Sequence, residues 1–431
     1  MSTPTKRIAF HTLGCKLNYA ETASISREFI RHGFEQVDFR DKADIYVLNT
    51  CSVTENADKE SRKIIRSAKK RNPESAIAVI GCYAQLKPEA IAAIDGVDLI
   101  LGTEEKFNLL HHLSTLETNG SPKIFQSEIN QINTFIPSYS IGERTRSFLK
   151  IQDGCDYTCS FCTIPLARGG SRSQSIKNTL MTATELENTK TREVVLTGVN
   201  IGDFGKGRDE KLIDLIRQLE KLKRIDRFRI SSIEPNLLTD EIIEFCINSQ
   251  KLMPHFHIPL QSGSDKILSA MRRRYKSHIF ADRIKKIKSL DPECCIGVDV
   301  IVGFPGESEE DFLETYHLLN ELDISYLHVF TYSQRPNTDA CEMNQLVPRH
   351  VKAERSKMLH ILSDKKRRYF QDRFIGKKRP VLFEFIREGY LSGHTDNYIK
   401  VEIPGDETII NSILDVTLFQ NLGSYMEGKL S

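Results

Sequence analysis

Short apolar runs alternate along the chain with longer stretches in which apolar positions recur every three or four residues. Runs at 7–12, 44–49, 76–80 and 98–101 read as strands, and 19–32, 58–71 and 88–94 read as amphipathic helices. This strand–helix alternation predicts βα units around a parallel sheet over the first ~140 residues. Each of the first three strands runs into a cysteine: Leu13-Gly14-Cys15, Thr50-Cys51 and Gly81-Cys82. Residues 116–147 have weak periodicity and contain Asn119-Gly120-Ser121-Pro122, which predicts an irregular connection.

The alternation resumes on a larger scale. Strands are expected at 148–151, 193–197, 227–233, 255–260, 295–302 and 326–331, with helices at 211–223, 240–247, 265–272, 278–290 and 309–322. Six βα repeats in one block suggest a partial or complete βα barrel, with a doubly wound sheet as the alternative. Beyond it, 380–386, 398–402 and 413–418 are short alternating runs with Gly and Asp turns, which predict a small all-β domain. The expected fold is therefore α/β in three parts: an N-terminal parallel-sheet domain (1–140), a central βα barrel (141–372) and a C-terminal β domain (373–431).

Charge changes this picture only locally. Lys plus Arg number 60 and Asp plus Glu 58, a net charge of +2 over 431 residues, so any nucleic-acid footprint must be a patch. The segment 349–379 carries twelve Lys or Arg against Glu354, Asp364 and Asp372, a local excess of +9. The run Arg272-Arg273-Arg274 and the basic helix at 58–71 are further candidates for phosphate contacts. No apolar run approaches the ~18 residues of a membrane helix, and no apolar signal stretch follows Met1, so a cytoplasmic protein is expected.

Ten cysteines in such a chain point to metal or catalysis before disulfides. Cys155, Cys159 and Cys162 form C-x₃-C-x₂-C directly after the strand that opens the barrel. Three thiolates on one loop can hold three irons of a 4Fe–4S cluster and leave the fourth iron open. Structural zinc would need a fourth N or S ligand, and no Cys or His follows closely. Cys15, Cys51 and Cys82 end three successive strands, where an open α/β sheet forms its ligand site. That trio can hold a second cluster with an open iron. Cys246, Cys294, Cys295 and Cys341 lack cluster spacing and read as core or incidental.

A C-x₃-C-x₂-C loop with Phe161 before its last cysteine, opening a βα barrel, resembles the radical S-adenosylmethionine superfamily. The resemblance implies that the open iron chelates S-adenosylmethionine, which one electron cleaves to a 5′-deoxyadenosyl radical. Together with the N-terminal trio, the motifs resemble the methylthiotransferases. They include Asn49-Thr50-Cys51-Ser52-Val53-Thr54, Ala167-Arg168-Gly169, His257-Ile258-Pro259-Leu260-Gln261 and Asp299-Val300-Ile301-Val302-Gly303-Phe304-Pro305. Gly14-Cys15-Lys16-Leu17-Asn18 is similar to the subgroup acting on N6-threonylcarbamoyladenosine in tRNA. Alternatives within the family are isopentenyladenosine in tRNA and a ribosomal protein. An iron–sulfur electron carrier or sensor is the alternative outside it.

The resemblance implies two 4Fe–4S clusters, S-adenosylmethionine, a tRNA partner, an electron-donor protein and a TRAM-like C-terminal domain. It also implies cofactor contacts at Phe161 and at the turn bearing Gly198 and Asn200, and Glu234, which ends the third expected barrel strand, faces the same site by its place in a βα barrel. That turn lacks the glutamate usual in the superfamily. An aromatic C2–H offers nothing to acid–base catalysis, so no catalytic acid or base is assigned.

Overall fold

The computed structural model describes residues 5–52, 55–116, 120–141 and 145–431. Val53, Thr54 and Asn119 lie outside them. The chain packs as two compact units: 1–140 with 148–158 and 162–173, and 141–147 with 159–161 and 174–431.

The first unit is built on a six-stranded parallel sheet. Its strands are β1 (Arg7–Thr12), β2 (Glu35–Val37), β3 (Ile45–Thr50), β4 (Ala76–Gly81), β5 (Leu99–Leu101) and β6 (Lys123–Phe125). They lie in the order β2-β1-β3-β4-β5-β6. Every residue of β3 is buried, as a central strand covered on both faces requires. One face packs Tyr46, Leu48, Ile65 and Val79, and the other Ile8, Phe29, Val47 and Ile80. Helices α1 (Lys16–Arg31) and α2 (Glu55–Arg71) follow β1 and β3. Two edge strands were not expected. β2 is a three-residue piece with exposed polar side chains, and β6 falls in the segment read as irregular, where it pairs in register with β5. Neither carries enough apolar alternation to register as a strand.

In chain order there follow β7 (Arg146–Lys150) and the short antiparallel pair β8 (Gln152–Asp153) and β9 (Arg172–Ser173). The second unit then contains β10 (Glu193–Thr197), β11 (Arg227–Ile230), β12 (His255–Gln261), β13 (Cys295–Val302) and β14 (Tyr326–Thr331). β10 pairs parallel with β11, and β12, β13 and β14 form a second parallel sheet. Bridges Phe228↔Leu252 and Ser232↔His257 connect the two groups. The expected βα repeats are present in sequence order. The helix expected at 211–223 is shorter, Leu212–Leu219, and β11 stops at Ile230, ahead of the Ser231-Ser232 pair.

A 24-residue helix, Arg349–Asp372, leads to a closed five-stranded barrel of β15 (Lys378–Arg387), β16 (Tyr390–Thr395), β17 (Lys400–Pro404), β18 (Ile413–Asn421) and β19 (Met426–Leu430). Its core of Val381, Phe383, Leu391, Val401, Val416 and Met426 continues into Phe370 and Phe374. No helix of the described residues is long and apolar enough to cross a membrane.

Candidate functional site

Three strands of the first unit run directly into the turns that carry cysteines. Cys15 sits at the N-cap of α1, Cys51 follows β3, and Cys82 opens α3 (Cys82–Leu86) directly after β4. The turns before Cys15 and Cys82 need glycine. Gly14 has φ +101° and Gly81 φ +97°, and a Cβ on Gly14 would lie 2.7 Å from Cys51 Cβ. Two asparagines tie the ends together. Asn18 donates to Leu13 O at 2.9 Å and Thr50 O at 3.2 Å, and Asn49 donates to Asn18 O at 3.1 Å and Thr22 Oγ1 at 3.0 Å. The three thiols are brought to one edge of the sheet. Among the described residues they do not form a trio within 4.8 Å.

Beneath these thiols lies a buried ionic network that sequence patterning does not reveal. Glu21 accepts from Lys106 (2.6 Å), Lys150 (2.9 Å) and both terminal nitrogens of Arg168 (3.1 Å each). Asp153 accepts from Arg168 (2.9 Å), Lys150 (2.8 Å) and Arg172 (3.0 Å). Burial alone would raise the Glu21 and Asp153 carboxyls, but these cations hold both well below the usual carboxylate range. Four cations face two carboxylates, so the network holds an excess of two positive charges out of water. Arg168 Nη2 also donates to Asn18 Oδ1 at 2.6 Å, and the Cys15 thiol lies 3.9 Å from that oxygen. Residue Cys15 is exposed at the sheet edge, yet its thiol is covered enough that desolvation raises it, while Arg168 acts in the opposite sense. A cationic base next to three thiols is the environment that an anionic thiolate cluster needs.

The C-x₃-C-x₂-C loop begins where β8 and β9 pair. Cys155 N donates to Gly169 O at 3.0 Å, and Tyr157 N donates to Cys155 Sγ at 3.4 Å. Ile164 N, at the start of helix Ile164–Arg168, donates to Cys162 Sγ at 3.4 Å. In the second unit Cys159 Sγ accepts from Arg273 Nη1 at 3.1 Å, and Arg273 pairs on its other side with Glu234. Burial pushes the Cys159 thiol up and Arg273 opposes it. The Glu234 carboxyl is also raised by burial. Phe161 packs edge-on to Phe304, ring centroids 6.3 Å apart, in a cluster with Ile267, Met271 and Tyr332. Asn200 donates to Asp203 at 2.9 Å in the loop after β10, where Gly198 also lies. The structure thus joins Glu234 to Cys159 through Arg273, a residue that the sequence offers only as a candidate phosphate contact. Arg273 is no phosphate contact: its side chain is 4% exposed and committed to Glu234 and Cys159. Cys246, Cys294 and Cys295 are buried, and no described cysteine is in a disulfide.

The +9 segment is also less basic in three dimensions than along the chain. Arg355 is buried on Glu307 (2.6 Å), Arg373 faces Asp323 (3.4 Å) and Lys378 faces Asp415 (3.1 Å). Lys377 meets Glu293 (2.5 Å), and Arg379 meets Glu293 (2.7 Å) and Asp396 (2.8 Å). The partners come from distant positions, so a charge count along the segment overstates the patch. Lys357, Lys365 and Arg368 remain exposed on the helix.

Residues 7–102 match the Uncharacterized protein family UPF0004, and residues 149–319 match the Radical SAM superfamily. The two matches define a class: radical SAM proteins preceded by a UPF0004 domain. A solved radical S-adenosylmethionine methyltransferase, TsrM from Kitasatospora setae with tryptophan and a SAM analog bound, shares the fold (TM-score 0.57, 14% identity, 78% of this chain and 75% of that one). The threonylcarbamoyladenosine tRNA methylthiotransferase MtaB of Bacillus subtilis (strain 168) is 40% identical, over 98% of this chain and 96% of its own length. That of Aquifex aeolicus is 39% identical over 93% and 97%. A tRNA-2-methylthio-N(6)-dimethylallyladenosine synthase of Jannaschia sp. is 31% identical over 99% and 94%. The chain belongs to the tRNA methylthiotransferase family.

Proposed function

We propose that this protein adds a methylthio group to C2 of N6-threonylcarbamoyladenosine beside the anticodon of tRNA, in the cytoplasm. The observation that carries this reading is 40% identity to the Bacillus subtilis enzyme along nearly the whole of both chains. The Gly14-Cys15-Lys16-Leu17-Asn18 turn supports the same subgroup. Cys155, Cys159 and Cys162 would hold one 4Fe–4S cluster, and Cys15, Cys51 and Cys82 a second. When bound, the clusters and S-adenosylmethionine supply the 5′-deoxyadenosyl radical and the methylated sulfur that an unreactive C2–H requires. An electron-donor protein would provide the reducing equivalent.

This chain's own residues have definite tasks in that scheme. Arg273 orients Cys159 and compensates the charge of Glu234. Arg168 and its neighbours offset part of the negative charge of three thiolates. Phe161, Gly198, Asn200 and Glu234 would contact S-adenosylmethionine. The domains would divide as 1–140 for the sulfur-bearing cluster, 141–372 for radical chemistry and 373–431, TRAM-like, for tRNA.

Mass spectrometry of tRNA nucleosides from cells lacking the protein tests the reading. The 2-methylthio derivative of threonylcarbamoyladenosine should disappear and its unmodified precursor accumulate. The wild-type gene should restore it, and Cys15→Ala or Cys155→Ala should not. Loss of the isopentenyladenosine derivative instead would overturn the substrate assignment.

The internal pairing of the basic segment predicts which charges meet RNA. Lys357→Gln, Lys365→Gln or Arg368→Gln should each lower the salt slope of tRNA binding by up to about 1. Lys377→Gln and Arg379→Gln should leave that slope unchanged and lower stability instead. A filter-binding series over salt concentration separates the two groups.

A further inference from the structure

The strand β14 presents a row of rings that the tasks above do not use. Leu327 is buried, and its backbone N and O both bond Ser363 Oγ of the helix Arg349–Asp372 (2.9 and 3.2 Å). Strand alternation therefore places Tyr326, His328 and Phe330 together on the opposite face. His328 is about half exposed, and Phe330 is 46% exposed, an unusual position for a phenyl ring on a parallel strand. Tyr326 and His328 have ring centroids 5.2 Å apart, and His257 of β12 lies 5.0 Å from His328.

This face is braced. On β13, Asp299 Oδ1 accepts from His257 Nε2 at 2.8 Å and lies 3.3 Å from His328 Nδ1. Burial would raise the Asp299 carboxyl, but the two imidazoles hold it well below the usual range. As a carboxylate Asp299 only accepts, so it fixes both rings in orientation. Tyr326 lies across Gly297, where a Cβ would come within 2.3 Å of its ring, and its hydroxyl meets His255 Nε2 at 2.9 Å. The result is a fixed floor of His257, Asp299 and Tyr326 beneath two rings left open to a ligand. Asp299 also contributes to the field at Glu234, which pairs with Arg273 beside Cys159.

Exposed aromatic and imidazole rings at alternate positions of a strand are the usual means of holding an unpaired base. An enzyme that acts on the edge of a base must hold that base out of its stack. We propose that the His328–Phe330 face of β14 is the platform on which the target adenine stacks, with Asp299 as the residue that positions His328. This rests on the tRNA reading above and deepens it, because it assigns the base-binding residues.

The test uses the reconstituted full chain and an anticodon stem-loop RNA with 2-aminopurine at the target position. Binding to wild type should quench the fluorophore by stacking. Phe330→Ala and His328→Ala should each raise Kd by about 5- to 150-fold, the range for one lost base–aromatic stack of ~1–3 kcal/mol. They should also relieve the quench and leave the salt slope of binding unchanged, since no phosphate contact is lost. Phe330→Tyr should keep both affinity and quench, whereas Phe330→Leu, which fills the same exposed space, should lose the quench. Unaltered Kd and quench in Phe330→Ala would overturn the platform, and so would a salt slope reduced by about 1 in His328→Ala, which would mark a phosphate contact. A wild-type protein that fails to bind the RNA would count against the tRNA reading itself, which keeps the two failures distinct.

Discussion

Arg168→Met should lower the unfolding free energy of the first unit by about 3–5 kcal/mol, the usual cost of breaking a buried ion pair by removing one partner. Arg168 is the hub of the network beneath the strand-end cysteines. It binds Glu21 through two nitrogens, Asp153 through one and Asn18 Oδ1 through another contact at 2.6 Å. Methionine fills comparable volume without donating to any of these oxygens, so Glu21 and Asp153 stay buried with fewer cations. Arg168→Lys should recover part of the loss, because an ammonium restores charge without the bidentate fork. Urea denaturation followed by far-UV circular dichroism measures both variants. A Met variant within about 1 kcal/mol of wild type would show that the lysines carry Glu21 by themselves.

The second large effect is acid sensitivity in the other unit. Glu193 opens β10 and pairs with Arg229 at 3.0 and 3.2 Å, with Arg146 4.0 Å away. Burial would raise this carboxyl, but Arg229 outweighs it and the pKa falls from 4.5 to about 2. A carboxyl depressed in the folded state stabilises fully above its unfolded pKa and loses that contribution as pH drops through the folded value. The contribution is roughly 3 kcal/mol, present above about pH 4.5 and lost progressively towards pH 2. In Glu193→Gln that dependence should vanish. The stability gap between wild type and variant should therefore shrink by roughly 3 kcal/mol between about pH 6 and pH 2 in denaturant titrations. A constant gap would mean that Glu193 does not titrate in this window. Arg229 also donates to Asp396 O at 3.1 Å and lies over the Tyr398 ring. Acid should thus loosen β10 and β11 from the C-terminal barrel first.

The parts of the fold and site that are legible in the sequence are those whose cause is local. The strand–helix alternation places β1, β3, β4, β5 and the barrel strands β10 to β14, because each carries its own apolar pattern. The two cysteine trios stand out because their spacing is a property of neighbouring turns. β6 escapes a sequence reading because its pairing with β5, and not its own composition, makes it a strand. The Glu21–Arg168 network escapes it because its members lie 85 to 150 positions apart for every pair that reaches Glu21 or Asn18. The same blindness works in the opposite direction for charge. Arg273, Arg355 and Arg379 look like a nucleic-acid footprint until Glu234, Glu307 and Glu293 arrive from elsewhere in the chain. The residues of β14 read as a strand from their own pattern, but the use of its face depends on which side the helix Arg349–Asp372 covers.

The closure of the C-terminal barrel has a genetic corollary. β19 pairs with β17 on one side and β18 on the other, so it is the stave that completes the ring. A nonsense codon just before Met426 would not trim a dispensable tail. It would leave β17 and β18 with raw edges and uncover the core around Val401, Val416 and Leu418, a template for strand addition between copies. Late-truncating alleles should therefore behave as aggregation or turnover defects, although both cysteine trios remain encoded upstream.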